Sequence, residues 1–202
     1  MLGLQLMQRQ IVAQKLIDIL EEKMRCQLNL KATLIVGVVL KGLPVAYAIA
    51  RKNNVIENFV PIVAQRYIFM QHQVESYFPS LDWENYYTER LANCENLLVL
   101  DDVVNSGFTR QKVESIFHSL GSSSAILRFG ALVFNRRNLA GSGLVSSKDF
   151  YALNVNAKDV ECDWGMITVP LWDQSVDEGR RRCENYYREY WLHEKRVITL
   201  TY

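Results

Sequence analysis

The sequence predicts an α/β domain: a mostly parallel sheet with helices on both faces. Three observations point there. Strand-like apolar runs such as Ala32–Leu40 are continuous rather than alternating, as in strands buried on both faces. Those runs alternate along the chain with segments of helical periodicity. No repeat, low-complexity tract or linker divides the 202 residues, so a single domain spanning 1–202 is expected, with its core over about 30–155.

The elements follow in order. From Leu4 to Met24, apolar residues at Met7, Ile11, Leu16, Ile19 and Leu20 suit an amphipathic helix. The β-branched run Ala32–Leu40 reads as a buried strand, broken by Lys41-Gly42-Leu43-Pro44. Pro44 suits the first turn before a helix over Val45–Lys52, where a missing N–H costs nothing. Val55–Val63 reads as a strand, and Pro61 marks it as an edge or a bulge. Arg66–Glu95 is aromatic-rich, with a short helix over Asp82–Leu91. Leu97–Leu100 is a short strand ending in Asp101-Asp102. A helix over Arg110–Leu120 carries apolar Val113, Ile116, Phe117 and Leu120, with Gly121 as its stop. Ala125–Phe134 and Phe150–Val155 read as two more strands. Ser175–Glu178 has a capping-box pattern before a helix, and Arg196–Tyr202 alternates like a closing strand.

Composition narrows the function classes. Apolar residues make up 49% and charged residues 22%, a normal balance for a soluble globular domain. A net charge of +1 argues against an electrostatic nucleic-acid binder. No apolar stretch approaches the roughly 20 residues a membrane helix needs. The N-terminus lacks a signal layout, so the expected location is the cytoplasm. Cys26, Cys94, Cys162 and Cys183 have no zinc-ligand spacing and are expected to be reduced, in or near the core. Arg180-Arg181-Arg182 reads as a solvated helix face, and His118 as a surface or packing residue.

The chemistry concentrates in Leu97–Thr109. A buried strand delivers two carboxylates, Asp101 and Asp102, to its C-terminal end, where ligands bind in open α/β sheets. A small polar turn follows, Asn105-Ser106-Gly107-Phe108-Thr109, leading into a helix N-terminus. Unpaired amides and the helix dipole make that a phosphate cradle. Gly107 lets the backbone approach an anion, while Ser106 and Thr109 add hydroxyl donors. The acids would accept hydrogen bonds from sugar hydroxyls or help hold Mg2+. A phosphate cradle beside two acids suits a sugar phosphate.

At Leu98–Thr109 the chain resembles the phosphoribosyl pyrophosphate (PRPP)-binding motif of type I phosphoribosyltransferases: apolar residues, two acids, two apolar residues, and a small polar loop ending in Gly-x-Thr. Val38-Val39-Leu40-Lys41-Gly42, at an earlier strand end, resembles the family's pyrophosphate loop in its hypoxanthine-guanine-type form. The resemblance spans roughly Leu34–Val155. It implies a type I phosphoribosyltransferase-like fold, with residues 156–202 forming a hood over the acceptor site. It also implies transfer of the 5-phosphoribosyl group from PRPP to a nucleobase-like heterocycle, with Mg2+ as cofactor.

By the same resemblance, the Asn105–Thr109 loop holds the 5′-phosphate, and Asp101 and Asp102 fix the ribose hydroxyls and the metal. Leu40, Lys41 and Gly42 would meet the diphosphate, and a cis peptide is implied before Lys41. The acceptor pocket would draw on Tyr151 and the Val160–Trp172 segment. Tyr151 or Trp164 either stacks on a flat base or packs in the core. Purine-type members carry Asp, Lys and Asp near positions where this chain has Asn105, Asn135 and Asn154. A neutral amide cannot serve as a general base, though it can hydrogen-bond a base edge. Two function classes therefore stand: a phosphoribosyltransferase, or a catalytically silent PRPP- or nucleotide-binding regulator. An unrelated α/β protein with a fortuitous loop is a third. The aromatics of Arg66–Pro79 and beyond belong either to a flap over the site or to core packing or a dimer interface, and a homodimer is expected.

Overall fold

The computed structural model describes residues 2–39, 42–66, 74–78, 81–104, 107–120, 125–136 and 148–156. Leu40, Lys41, Asn105, Ser106, Trp164 and the proposed hood beyond 156 lie outside them.

Ten principal elements run in the order α1 (Leu2–Arg25), β1 (Thr33–Val39), α2 (Gly42–Lys52), β2 (Phe59–Arg66), β3 (Val74–Tyr77), α3 (Leu81–Leu91), β4 (Asn96–Val104), α4 (Phe108–Ser119), β5 (Ile126–Asn135) and β6 (Phe150–Val155). The six strands form one sheet in the order β3-β2-β1-β4-β5-β6. Every pairing is parallel except the edge pair β2–β3. The chain is thus the expected α/β protein with a mostly parallel sheet. The central strands are apolar throughout because both faces are covered. α1 and α2 pack together and against β1, β4, β5 and β6, while α3 and α4 pack against the β2–β3 side.

Several expectations need correcting in detail. The buried stripe of α1 is Ala13, Leu16, Ile17, Leu20 and Met24, whereas Ile11 and Ile19 face out. Helical spacing admitted two neighbouring stripes, and packing chose one. α2 begins at Gly42, three residues before Val45, and Pro44 does occupy its first turn. Residues 56–58 form a 3-10 turn, so β2 starts later and runs on to Arg66. Pro61 is not on an edge strand, since β2 pairs on both sides. Even so, β3 pairs only from Val63 to Arg66, which leaves Pro61 an open side.

Ser76 and Tyr77 sit in that edge strand, opposite Ala64 and Val63. Phe78, Trp83, Tyr86 and Tyr87 are buried, so these aromatics serve the core. His118 is exposed, as is Cys26, which therefore does not lie in the core, while Cys94 is half-buried. Among the described residues no helix is long and apolar enough to cross a membrane.

Candidate functional site

β4 runs four residues past Leu100, because Val103 and Val104 continue the pairing with Val133 and Phe134 of β5. Asp101 and Asp102 therefore lie inside the last turns of the strand rather than after it. Successive strand side chains leave on opposite faces. The two acids accordingly differ: Asp102 is 7% exposed, and Asp101 is more open. The Asp101 Oδ1 accepts a hydrogen bond from the Asp102 backbone N–H at 2.8 Å.

Two strand-to-helix crossings bear on these acids. Gly42, the first residue of α2, lies directly against Asp101. A Cβ there would come within 2.5 Å of the Leu100 carbonyl oxygen, 2.6 Å of Asp101 Cα and 3.1 Å of Asp101 Oδ1. Only glycine permits that approach. At the second crossing Gly107 takes a left-handed φ of 75°, is buried, and caps α4 without any side-chain hydrogen bond. Its carbonyl accepts the Gln111 N–H at 3.0 Å. The Asn or Ser cap that a plain turn would use is thus not the capping residue. Thr109 stands half-buried in the first turn. The amides of such a turn have no intrahelical partners and favour an anion.

A small apolar cluster of its own joins the end of β4, the second half of β5 and the start of β6: Val104, Ala131 and Phe134, with Tyr151 against them. The Tyr151 and Phe134 rings stack at 4.2 Å with planes 23° apart. The Tyr151 hydroxyl donates to Asp149 Oδ2 at 3.2 Å, and its carbonyl accepts from Lys23 Nζ at 2.6 Å. Burial, then the nearby Asp149 carboxylate, pushes the Tyr151 hydroxyl above its ordinary range. Asn135, ending β5, is fully buried, whereas Asn154 is exposed.

The sequence reading passed over Arg110 and Asp149. Arg110, in the first turn of α4, pairs with Asp149, whose side chain is 1% exposed, and with Glu114 at 3.1 Å. Its guanidinium lies 4.4 Å from the centre of the Phe129 ring. Burial works to lower the guanidinium's pKa, but the hydrogen bonds and charges of Asp149 and Glu114 hold it above its ordinary value. One signal was legible. A cation in a helix's first turn opposes the helix dipole and calls for a partner.

The acids also bear on Mg2+. Among the described residues no three metal-ligating side chains stand together. Mg2+ is commonly held by one or two carboxylates, with substrate phosphates and water completing the shell. Asp101, the more open of the two acids, offers a carboxylate of the kind such an ion uses.

The fold and these strand ends define an α/β protein of the class that binds ligands in the crevice beyond the carboxyl ends of its strands. No family model matches the sequence, and no curated protein matches it. The chain is similar to solved phosphoribosyltransferase structures. The purine phosphoribosyltransferase of Pyrococcus horikoshii Ot3 is 18% identical with a TM-score of 0.49, covering 71% of this chain and 83% of that one. The hypoxanthine phosphoribosyltransferase of Trypanosoma cruzi, in complex with the product IMP, is 11% identical with a TM-score of 0.47, covering 71% and 77%. A second structure of the Trypanosoma cruzi enzyme, from work on how its C-terminal region affects oligomeric state and activity, is also 11% identical with a TM-score of 0.47, covering 74% and 76%.

Proposed function

We propose that this protein is a phosphoribosyltransferase that moves the 5-phosphoribosyl group from PRPP to a nucleobase-like heterocycle. The observation that carries the reading is the contact of Gly42 with Leu100 and Asp101, which sets the start of α2 against the acid-bearing part of β4, while the chain runs on from those acids into the glycine-capped start of α4. One helix start and one acid pair occur in many turns. Acids contacted by one helix start and followed in the chain by a second suit a ligand with anionic groups at both ends of a hydroxylated ring.

In this reading the turn Asn105-Ser106-Gly107-Phe108-Thr109 holds the 5′-phosphate through amides and hydroxyls. Leu40, Lys41 and Gly42 face the diphosphate, with Lys41 supplying charge. Asp101 and Asp102 bind the ribose hydroxyls and stabilise positive charge growing on the ring. Asp101 and Asp102 would hold Mg2+, which would supply charge neutralisation for the leaving diphosphate. The acceptor nitrogen forms its bond to the anomeric carbon as the bond to the diphosphate oxygen breaks. The diphosphate leaves with the electron pair, and the acceptor's proton passes to solvent. Asn105 orients the acceptor by hydrogen bonding, since its amide cannot take that proton. The Val104–Phe134–Tyr151 cluster forms the apolar floor of the acceptor side, and Trp164 lies in the segment proposed to close over it. The chain acts as one domain, working in the cytoplasm as a homodimer on small molecules.

A second reading, a silent PRPP- or nucleotide-binding regulator, is favoured by one observation. Asn135, which stands near the position of a purine-type lysine, is neutral and fully buried. Calorimetry of PRPP with and without Mg2+ tests the site, on the wild type and on the double variant Asp101→Asn/Asp102→Asn. Mg2+-dependent binding that the variant loses is the expected result, and no binding by the wild type overturns the PRPP readings and turns the function towards nucleotide sensing or an unrelated ligand. Pyrophosphate release across a panel of heterocycles then separates enzyme from regulator.

A further inference from the structure

Gly107, which caps α4, has no side chain to offer the first turn, and among the described residues other groups fix it. Its lower half is anchored by Phe117, buried and stacked on Tyr87 at 5.2 Å. Its upper half is anchored by Arg110. Asp149 is the residue just before β6, and it joins three elements. Its carboxylate pairs with Arg110 of α4, accepts the Tyr151 hydroxyl of β6, and accepts the Phe129 backbone N–H of β5 at 3.1 Å. Pairing between β5 and β6 begins only at Gly130 and Phe150, so the carboxylate takes the place of a strand at Phe129. The guanidinium above it lies on the Phe129 ring. Charge, aromatic contact and backbone hydrogen bond thus converge at one almost fully buried point.

We infer that Arg110 and Asp149 form a positioning clasp that sets the start of α4 against β5 at Phe129 and the start of β6. The inference rests on the phosphoribosyl reading for its consequence. The start of α4 serves the phosphate of the donor, and β5 and β6 carry the floor for the acceptor. The clasp fixes the distance between them. Neither Arg110 nor Asp149 touches substrate. Asp149 and Phe129 hold the Arg110 guanidinium, which leaves the turn's amides to bind the phosphate.

The test uses the full chain and the variants Arg110→Met and Asp149→Asn, with Glu114→Gln as a control. Glu114 is the outer partner, 28% exposed, and its change should leave both readouts near wild type. The first readout is amide hydrogen exchange. The clasp predicts faster exchange in the first turns of α4, through Val113, with the Phe117 end keeping its protection. The second is Mg2+-dependent PRPP affinity. A misplacement of about 1 Å can cost about 10²-fold, so a weakening of about tenfold or more is expected in both variants. Should Arg110→Met fail to fold, Arg110→Lys keeps the charge, loses the planar fork, and carries the same readouts. Wild-type exchange in the first turns of α4, or an equal loss of protection along the whole helix, overturns the clasp. If the wild type binds no PRPP, the phosphoribosyl reading falls, and the exchange pattern alone decides the clasp.

Discussion

The two helices that follow β1 and β4 are held in opposite ways. α2 is fixed by packing: Gly42, Leu43, Pro44, Val45, Ala46, Tyr47, Ile49 and Ala50 are all buried. α4 buries chiefly Val113 and Phe117, and it depends on separate anchors: a left-handed glycine, an ion pair and an aromatic stack. Even the glycines that open the crossings serve different ends. Gly42 is needed because a backbone lies within reach of a Cβ. Gly107 is needed for its φ. A helix wedged into the core tolerates no added atom at its start. The start of α4 instead requires a particular backbone turn.

The contrast can be broken by substitution. Gly42→Ala should have the largest effect. Its new methyl would meet backbone at 2.5 Å, and neither α2 nor β4 has room to yield. Overpacking of this kind costs about 3 kcal/mol, read as a lower urea midpoint, and displacement of Asp101 should abolish PRPP binding as well. Gly107→Ala should cost about 1–2 kcal/mol, the penalty of a left-handed conformation for a residue with a Cβ, and Gly107→Asn should cost less. If the two alanine variants lose equal stability, the two crossings are not held differently.

The smallest effect has the opposite sign. The Tyr87 hydroxyl is buried with no hydrogen-bond partner among the described residues, while its ring carries the stack on Phe117. Tyr87→Phe keeps the stack and removes the orphan hydroxyl, so it should stabilise the protein by about 1 kcal/mol in urea unfolding. A pH dependence accompanies it. Burial, with a smaller effect of Cys94, raises the folded Tyr87 pKa above its ordinary 10.0. The unfolded chain therefore ionises first. Stability that is fully present below about pH 10 falls as the pH climbs towards the folded value. Tyr87→Phe should show a shallower alkaline decline, and an unchanged decline would mean that other groups set it.

Much of this architecture was legible because its causes are local. The continuous run of Ile35, Val36 and Val38 and the helical spacing of Val113 and Phe117 place strand and helix without reference to the rest of the chain. The site was legible in part for the same reason. Two acids at an apolar strand's end, then a polar turn with Gly107, are neighbours in sequence. The length of β4 was less visible, because Val103 and Val104 extend it only by pairing with β5. The edge strand β3 was missed because Val74–Tyr77 is short and takes its partners from β2.

By itself, then, the sequence determined the alternation of strands and helices, the acid pair, and the glycine before α4, all written within a few residues of one another. Only the tertiary structure decided which stripe of α1 is buried, that Gly42 rests on Asp101, and that Arg110 of α4 finds Asp149 ahead of β6. Periodicity and turn chemistry act over one or two turns of chain. A close backbone approach or a buried ion pair exists only once distant segments have packed, and no local pattern announces its partner.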